Sequence, residues 1–470
     1  MPAFDIAIIG SGPGGYRAAV LGALRSLKVV LIEQHTWGGT CLNRGCVPKK
    51  DWYHTACIVS DSHDYAARGL GGTVTPDLEQ AWRHQRQVVE TVRASYVDYL
   101  GRLGVTTVQG TARCSGSGTL EVGTQKFVAG NIIIATGSQP WLPPQLQPVP
   151  GRILTTDDLF DVMPPPGRRV AVLGSGAVAT EMAFILRQLG LDVVWLAGRE
   201  PLPDTTYSPP TRAALREALG RAGVEIRAGT RIESARIDGD GVTLELPGGS
   251  SERVDWVLAG TGRQPNTRGL ELSRAGASAD ARGFVVVDDG NQAAPGIYAI
   301  GDVANPGMSA NHALADATVA IANIITPGSR RRDDRNVPEA VYSALELARV
   351  GLNEDQAEAM NLEPATAFTS FETNPAALAA GERGGFLRVV ADMDSGNALG
   401  AEIGGRGAAE LIGLLGLEFG EPRALSRLAA AAYNHPTRAE EILNVVEALA
   451  SRWNMSRFVY PATGGSLPAE

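Results

Sequence analysis

Two cysteines, Cys41 and Cys46, stand five positions apart in the stretch GGTCLNRGCVPKK (38–50). A thiol pair this close can hold a metal, form a structural bridge, or cycle between dithiol and disulfide. A zinc site would need a second pair of ligands elsewhere, and a structural disulfide usually closes a longer loop. In a regular α-helix an i, i+5 step separates the Cα atoms by about 8 Å, whereas a disulfide needs less than about 7 Å. A bridge here requires a distorted turn, which Gly45 and Val47–Pro48 can supply. A disulfide under such constraint is easier to reduce. The only other cysteines are Cys57 and Cys114, too few for a secreted disulfide framework. The pair therefore favours a catalytic over a structural reading.

The flanking segments show what must position it. FDIAIIG is a buried-strand pattern, followed by Gly10, Gly12 and Gly15 in G-x-G-x-x-G spacing, a helical segment, and the strand KVVLIE ending at Glu33. In this context the glycines allow a tight turn and a close approach to a pyrophosphate, whose charge the helix N-terminus attracts. Glu33 lies 23 positions after Gly10, where a carboxylate can bind ribose hydroxyls. The pattern recurs in RRVAVLGSGAVATEMAFILRQLGLDVVWLAGRE, with Gly174, Gly176 and Ala179 at the small-residue positions. There the acid is replaced by Ala197, and Arg199 follows two residues later. Loss of the acid beside an arginine suits a 2′-phosphate. The first site reads as an FAD site and the second as a site for NAD or NADP. NIIIATGSQP (131–140) and DWVLAGTGRQPNT (255–267) are further strand–glycine turns, and YAIGDV ends a strand at Gly301–Asp302. The Asp302 carboxylate could hydrogen-bond a flavin's ribityl chain.

At 470 residues the chain is long enough for several domains. Its 44% hydrophobic and 20% charged residues are ordinary for a soluble globular protein. The net charge of −9 argues against a nucleic-acid surface. No run of 18 apolar residues suggests a membrane span, and MPAFDIAIIG shows no basic n-region of a signal peptide. A cytoplasmic location is expected.

The ordered series GSGPGG, GGTCLNRGCVPKK, ATGSQP, GSGAVATE, GRQPN, YAIGDV and NHPTRAE resembles the class I FAD-dependent pyridine nucleotide–disulfide oxidoreductases over nearly the whole chain. The resemblance implies an α/β fold with two Rossmann-like domains, for FAD and NAD(P), and a C-terminal α+β dimerisation domain. The implied segments are 1–148 for the first FAD part, 149–265 for NAD(P), 266–332 for the central FAD segment and 333–470 for the interface. It implies that Cys46 exchanges electrons with the flavin, forming a thiolate–flavin charge-transfer state, while Cys41 forms a mixed disulfide with substrate. A thiolate is the reactive form, so the site needs a base. The family resemblance assigns that role to His435, oriented by Glu440, acting in the site of the other subunit of a homodimer. Lys49 or Lys50 would pair with Glu181 near the flavin ring; the functional lysine falls at either position among members, and Lys50 is the preferred reading. Thr40, Ala112, Thr136, Gly137, Gly262 and Ala310 are implied as further cofactor contacts.

Within the family, mercuric reductases and large thioredoxin reductases need another cysteine or selenocysteine pair near the C-terminus, which NMSRFVYPATGGSLPAE lacks. Glutathione reductases share CVPKK and an alanine at the position of Ala179. They carry an arginine pair where this chain has Val20 and Leu21, and a gating tyrosine where it has Ala177. Dihydrolipoamide dehydrogenases fit better through GPGGYRAAVLGA, GGTCLNRGC and MSANHALADA. Departures remain at Arg17, Ser343–Glu346, Asn374–Ala376 and Ala197. The expected activity is electron transfer between a lipoyl-type dithiol, the cysteine pair, FAD and NAD(P). Any lipoyl-carrying protein would be a separate partner. The alternatives are an NADPH-dependent reductase of another low-molecular-weight disulfide, or a redox-inactive scaffold, against which the retention of Cys41, Cys46, His435 and Glu440 speaks. The stretch from Trp453 carries no legible role.

Overall fold

The computed structural model describes residues 3–202 and 207–461. Apolar runs form the strands: Val29–Glu33 is buried throughout, and Phe4–Ile9 along its last four residues. Strands buried on both faces suit a parallel sheet covered by helices. Five parallel strands lie side by side in the order Thr106–Gln109, Val29–Glu33, Phe4–Ile9, Gln125–Ile134 and Ile297–Ala299. The last of these arrives after a long excursion of the chain, so the first sheet is completed by its central segment. Ala112–Gly116 and Thr119–Val122 extend it as an antiparallel ribbon.

The excursion builds a second parallel sheet, ordered Glu225–Ala228, Asp192–Ala197, Arg169–Leu173, Trp256–Ala259 and Ile153–Thr155. One face carries the antiparallel strands Ser234–Asp238, Gly241–Leu246 and Ser250–Val254. The other face carries the helix Ala177–Gln188, whose Met182 and Ile185 share a core with Trp52 and Ala56 of the helix Cys46–Ser62. This shared core fixes the cysteine-bearing helix against the second dinucleotide domain. A two-stranded ribbon, Ser138–Pro140 with Arg263–Pro265, spans the two chain crossings.

The third sheet is antiparallel: Glu339–Val341, Leu347–Gly351, Ala398–Gly404, Phe386–Asp392 and Pro364–Ser370. The helices Ala408–Glu418, Ala424–Ala430 and Glu441–Arg452 pack into its core. The segment from Trp453 folds back onto this domain as far as Pro461. Met455 and Val459 are buried, and Trp453 Nε1 donates to the Thr366 carbonyl at 2.8 Å. The rest of that tail, 462–470, lies outside the described residues. Among the described residues no helix is long and apolar enough to cross a membrane.

Candidate active site

The distortion expected between the cysteines falls at Gly45. The helix Gly39–Arg44 ends there, and a new one begins at Cys46. A Cβ on Gly45 would lie 3.2 Å from the Thr40 carbonyl oxygen and 3.3 Å from the Cys41 Cα. Glycine thus allows the backbone to fold back closely enough for the sulfurs to meet. Pro48 enters in the first turn of the next helix, where no intrahelical N–H bond is lost. Cys41 and Cys46 are thiols hydrogen-bonded to each other, and they are unequal acids. The hydrogen bond from the Cys41 thiol, with help from the Lys49 charge, draws Cys46 down to about 7 against the cost of its desolvation. The same bond and burial push Cys41 well above the ordinary thiol range. The thiolate of the pair therefore sits on Cys46.

The neighbouring lysines divide differently from the expectation. Lys49, not Lys50, pairs with Glu181. Both begin the same helix, and its phase turns Lys49 inward toward Ala177–Gln188. Burial opposes the Lys49 charge, but Glu181 and the Cys46 thiolate together hold its pKa above the ordinary value. The second Glu181 oxygen accepts the Tyr342 backbone N–H at 2.9 Å. Lys50 instead lies over the Tyr342 ring, 3.7 Å from its centroid. Cys57 and Cys114 are poor redox candidates, since burial raises each thiol to about 11.

His435 and Glu440 form a second unit on the third domain. His435 Nδ1 lies 2.7 Å from Glu440 Oε1. A carboxylate can only accept, so Nδ1 carries the proton and Nε2 is left as the base. The other Glu440 oxygen accepts the Thr437 N–H at 2.9 Å, and this bond, then His435, holds the carboxyl below its usual range. The imidazole is 73% exposed. Among the described residues no hydrogen bond or ion pair joins this unit to the cysteines of its own chain.

Both dinucleotide turns have the shape their glycines promised. A Cβ on Gly10 (φ 100°) would collide with the Ala135 carbonyl, and one on Gly15 with the Gly10 carbonyl. Gly12, in contrast, faces open space, and the helix Pro13–Ala23 that follows has no side-chain cap and no acid in its first turn. A pyrophosphate fits that position. Glu33 ends its strand with one oxygen accepting the Ser11 N–H and hydroxyl (2.9 and 2.7 Å) and the other the His35 N–H (2.8 Å). In the second domain Gly174 (φ 122°) packs on the Gly260 carbonyl and Ala179, while Gly176 again faces open space at an uncapped helix. Ala197 is fully buried at the strand end, and Arg199 is exposed just beyond it.

Thr136 and Gly137 bond to Asn266, which ties the first sheet to the ribbon near Gly262. Asp302 accepts from Ser138 Oγ at 2.6 Å. Thr40 lies in the first cysteine helix, half-buried, and Ala310 opens the helix Ala310–Ile325 behind Ser309. Ala112 is buried in the antiparallel extension, where it pairs with Val122.

Residues 4–319 match the pyridine nucleotide-disulphide oxidoreductase family, and residues 337–446 match its dimerisation domain. The chain belongs to this family. As a family member it is an FAD-dependent NAD(P)–disulfide oxidoreductase, and its dimerisation domain makes it a homodimer. It is 35% identical to a dihydrolipoyl dehydrogenase of Thermus scotoductus over 96% of this chain and 98% of that one. It is 31% identical to a glutathione reductase of Burkholderia cepacia over 94% of this chain and 98% of that one. Its fold is similar to that of RclA, a flavoprotein disulfide reductase of Escherichia coli (TM-score 0.83, 25% identity), covering 96% of this chain and 100% of that one.

Within this oxidoreductase the structure adds residues that the sequence did not mark. Ser11 holds Glu33. Arg263, inside GRQPN, donates to the Ser138 hydroxyl and carbonyl, completing an Asp302–Ser138–Arg263 series. Arg44, between the cysteines, reaches Asp161 at 2.7 Å and thereby ties the first cysteine helix to the second domain. Tyr16 and Tyr96 stack with centroids 4.1 Å apart, and burial, then the negative charge of Cys41 and Cys46, raises the Tyr96 pKa. Ser11, Tyr16, Arg44, Ser138 and Arg263 lie within quoted motifs, whereas Asp161 and Tyr96 had no local signal.

Proposed function

We propose that the protein oxidises a dihydrolipoyl-type dithiol, carried on a separate protein or as the free amide, and delivers the electrons to NAD(P). The observation that carries this reading is the unequal pair. Cys46 is poised as thiolate next to Lys49, and Cys41 stays a thiol until a base acts. Nε2 of His435, from the partner subunit, takes a proton from the substrate dithiol. The substrate thiolate attacks the Cys41 sulfur of the disulfide, and Cys46 leaves as the stabilised thiolate. The second substrate thiol then displaces Cys41, giving oxidised substrate and the reduced pair. FAD, when bound, would supply the two-electron acceptor between this dithiol and the nicotinamide. Glu440 steadies the imidazolium that holds the substrate proton.

The nicotinamide site is read as accepting NADP. Ala197 offers no carboxylate to a ribose hydroxyl, Arg199 follows it, and the Arg231 side chain packs against Gly198 between them. This favours a second reading, an NADPH-driven reductase of another small disulfide. Val20, Leu21 and Ala177 stand against glutathione as that disulfide. A panel pairing NAD+/NADH and NADP+/NADPH with lipoamide and glutathione disulfide separates the two. Fastest turnover with lipoamide supports the proposal. Much stronger turnover with NADPH and glutathione disulfide refutes it.

A further inference from the structure

The turn that carries His435 is short and exposed at the imidazole, yet a base must be held within a fraction of an ångström. Its anchor lies underneath. Arg438 Nε donates to Glu382 Oε2 at 2.5 Å, and the two side chains are only 17% and 7% exposed. Glu382 belongs to the segment between the helix Pro375–Ala380 and the strand Phe386–Asp392. Its other oxygen accepts the Arg406 N–H at 2.7 Å. The backbone is shaped around that carboxylate. A Cβ on Gly385 would lie 2.9 Å from Oε1, and one on Gly405 (φ 130°) would overlap it. The Arg406 guanidinium continues to Asp61, at the far end of the helix that begins with Cys46 (2.6 Å). A second tie runs through an amide: Asn374 Nδ2 donates to the Thr437 carbonyl at 3.0 Å and to Glu441 Oε1 at 3.0 Å.

We infer that Glu382 is a positioning residue for the proton-transfer unit, acting through Arg438 to fix the turn on which His435 and Glu440 stand. Arg438 is three positions from His435 and two from Glu440, so its anchoring sets the direction from which Nε2 meets the partner subunit's thiols. Neither Glu382 nor Arg438 touches the reacting atoms. The Asn374 amide holds the turn to its domain; the buried Arg438–Glu382 ion pair adds a directional constraint. The inference rests on His435 being the base.

The test uses the full-length flavoprotein and compares Arg438→Leu, Glu382→Gln and Arg438→Lys with His435→Gln. Dihydrolipoamide oxidation reports the proton-dependent half-reaction, and NADH-driven ferricyanide reduction reports the half that does not use the base. Arg438→Leu and Glu382→Gln are expected to lower kcat for the dithiol at least about tenfold, a fraction of the 100- to 10,000-fold that a positioned base contributes. KM and ferricyanide reduction should change little, and Arg438→Lys should recover most of kcat. Unchanged dithiol turnover in both variants overturns the inference. So does a parallel loss of both activities, or of FAD content, in Glu382→Gln and Arg438→Lys alike, which would mark the pair as a general structural tie. If His435→Gln itself leaves the dithiol reaction intact, the reading of the base fails, whatever the anchor variants do.

Discussion

Lys49 pairs with Glu181 across the seam between the cysteine helix and the helix Ala177–Gln188 of the second dinucleotide domain. The pair joins the two dinucleotide domains, and its positive member lowers the Cys46 pKa. Replacing Lys49 with Met leaves Glu181 almost fully buried with one backbone N–H partner. Breaking a buried pair in this way costs about 3–5 kcal/mol of stability. It also removes charge that favours the thiolate, so Cys46 titrates higher. In the reduced enzyme the long-wavelength absorbance should appear as pH rises through about 7 in the parent and at a higher pH in Lys49→Met. A titration curve that does not move would show that Lys49 has no hold on the thiolate.

Lys50 serves as the control. Its contact is with the Tyr342 and Tyr53 rings, an interaction of about 0.5–1 kcal/mol at partly exposed sites. Lys50→Met should leave the Cys46 titration in place and cost little in thermal midpoint. The sequence could not choose between these lysines, because neighbouring positions on a helix differ only by its phase against a residue more than a hundred positions away. The same limit hid Arg44–Asp161 and Arg438–Glu382, which are long-range pairs with no spacing rule. What could be read was local: the glycine turns, the five-residue cysteine step and the break it demands, and the strand runs of both dinucleotide sheets. The residue pair His435 and Glu440 was legible only through the resemblance of NHPTRAE, since an exposed histidine carries no signal of its own.

Gly45 tests the geometry of the pair. Gly45→Ala places a methyl group 3.2 Å from the Thr40 carbonyl and 3.3 Å from Cys41 Cα, closer than comfortable contact. The expected result is a folded, FAD-containing protein in which re-forming the disulfide is slower. Thiol counting after reduction and timed reoxidation reads this directly. Reoxidation at the parent rate would mean that the turn has slack.

The proposed nicotinamide preference rests on Arg199 and on Ala197 at the strand end. Arg199→Glu should weaken NADPH by about tenfold or more, as loss of a charge-assisted phosphate contact of 1.5–3 kcal/mol would, while leaving NADH within a few-fold. The ratio of kcat/KM for the two cofactors checks it. An unchanged ratio would place the discrimination elsewhere, with Arg231 the next position to vary.

The most direct test of the relay is anaerobic addition of dihydrolipoamide to the purified yellow protein, followed by absorbance. The account predicts a long-wavelength band beyond the flavin absorption, formed by the Cys46 thiolate once His435 has taken the substrate proton, and its absence in Cys46→Ser. A flavin spectrum unaltered by the dithiol, in protein that NADH still reduces, would contradict it.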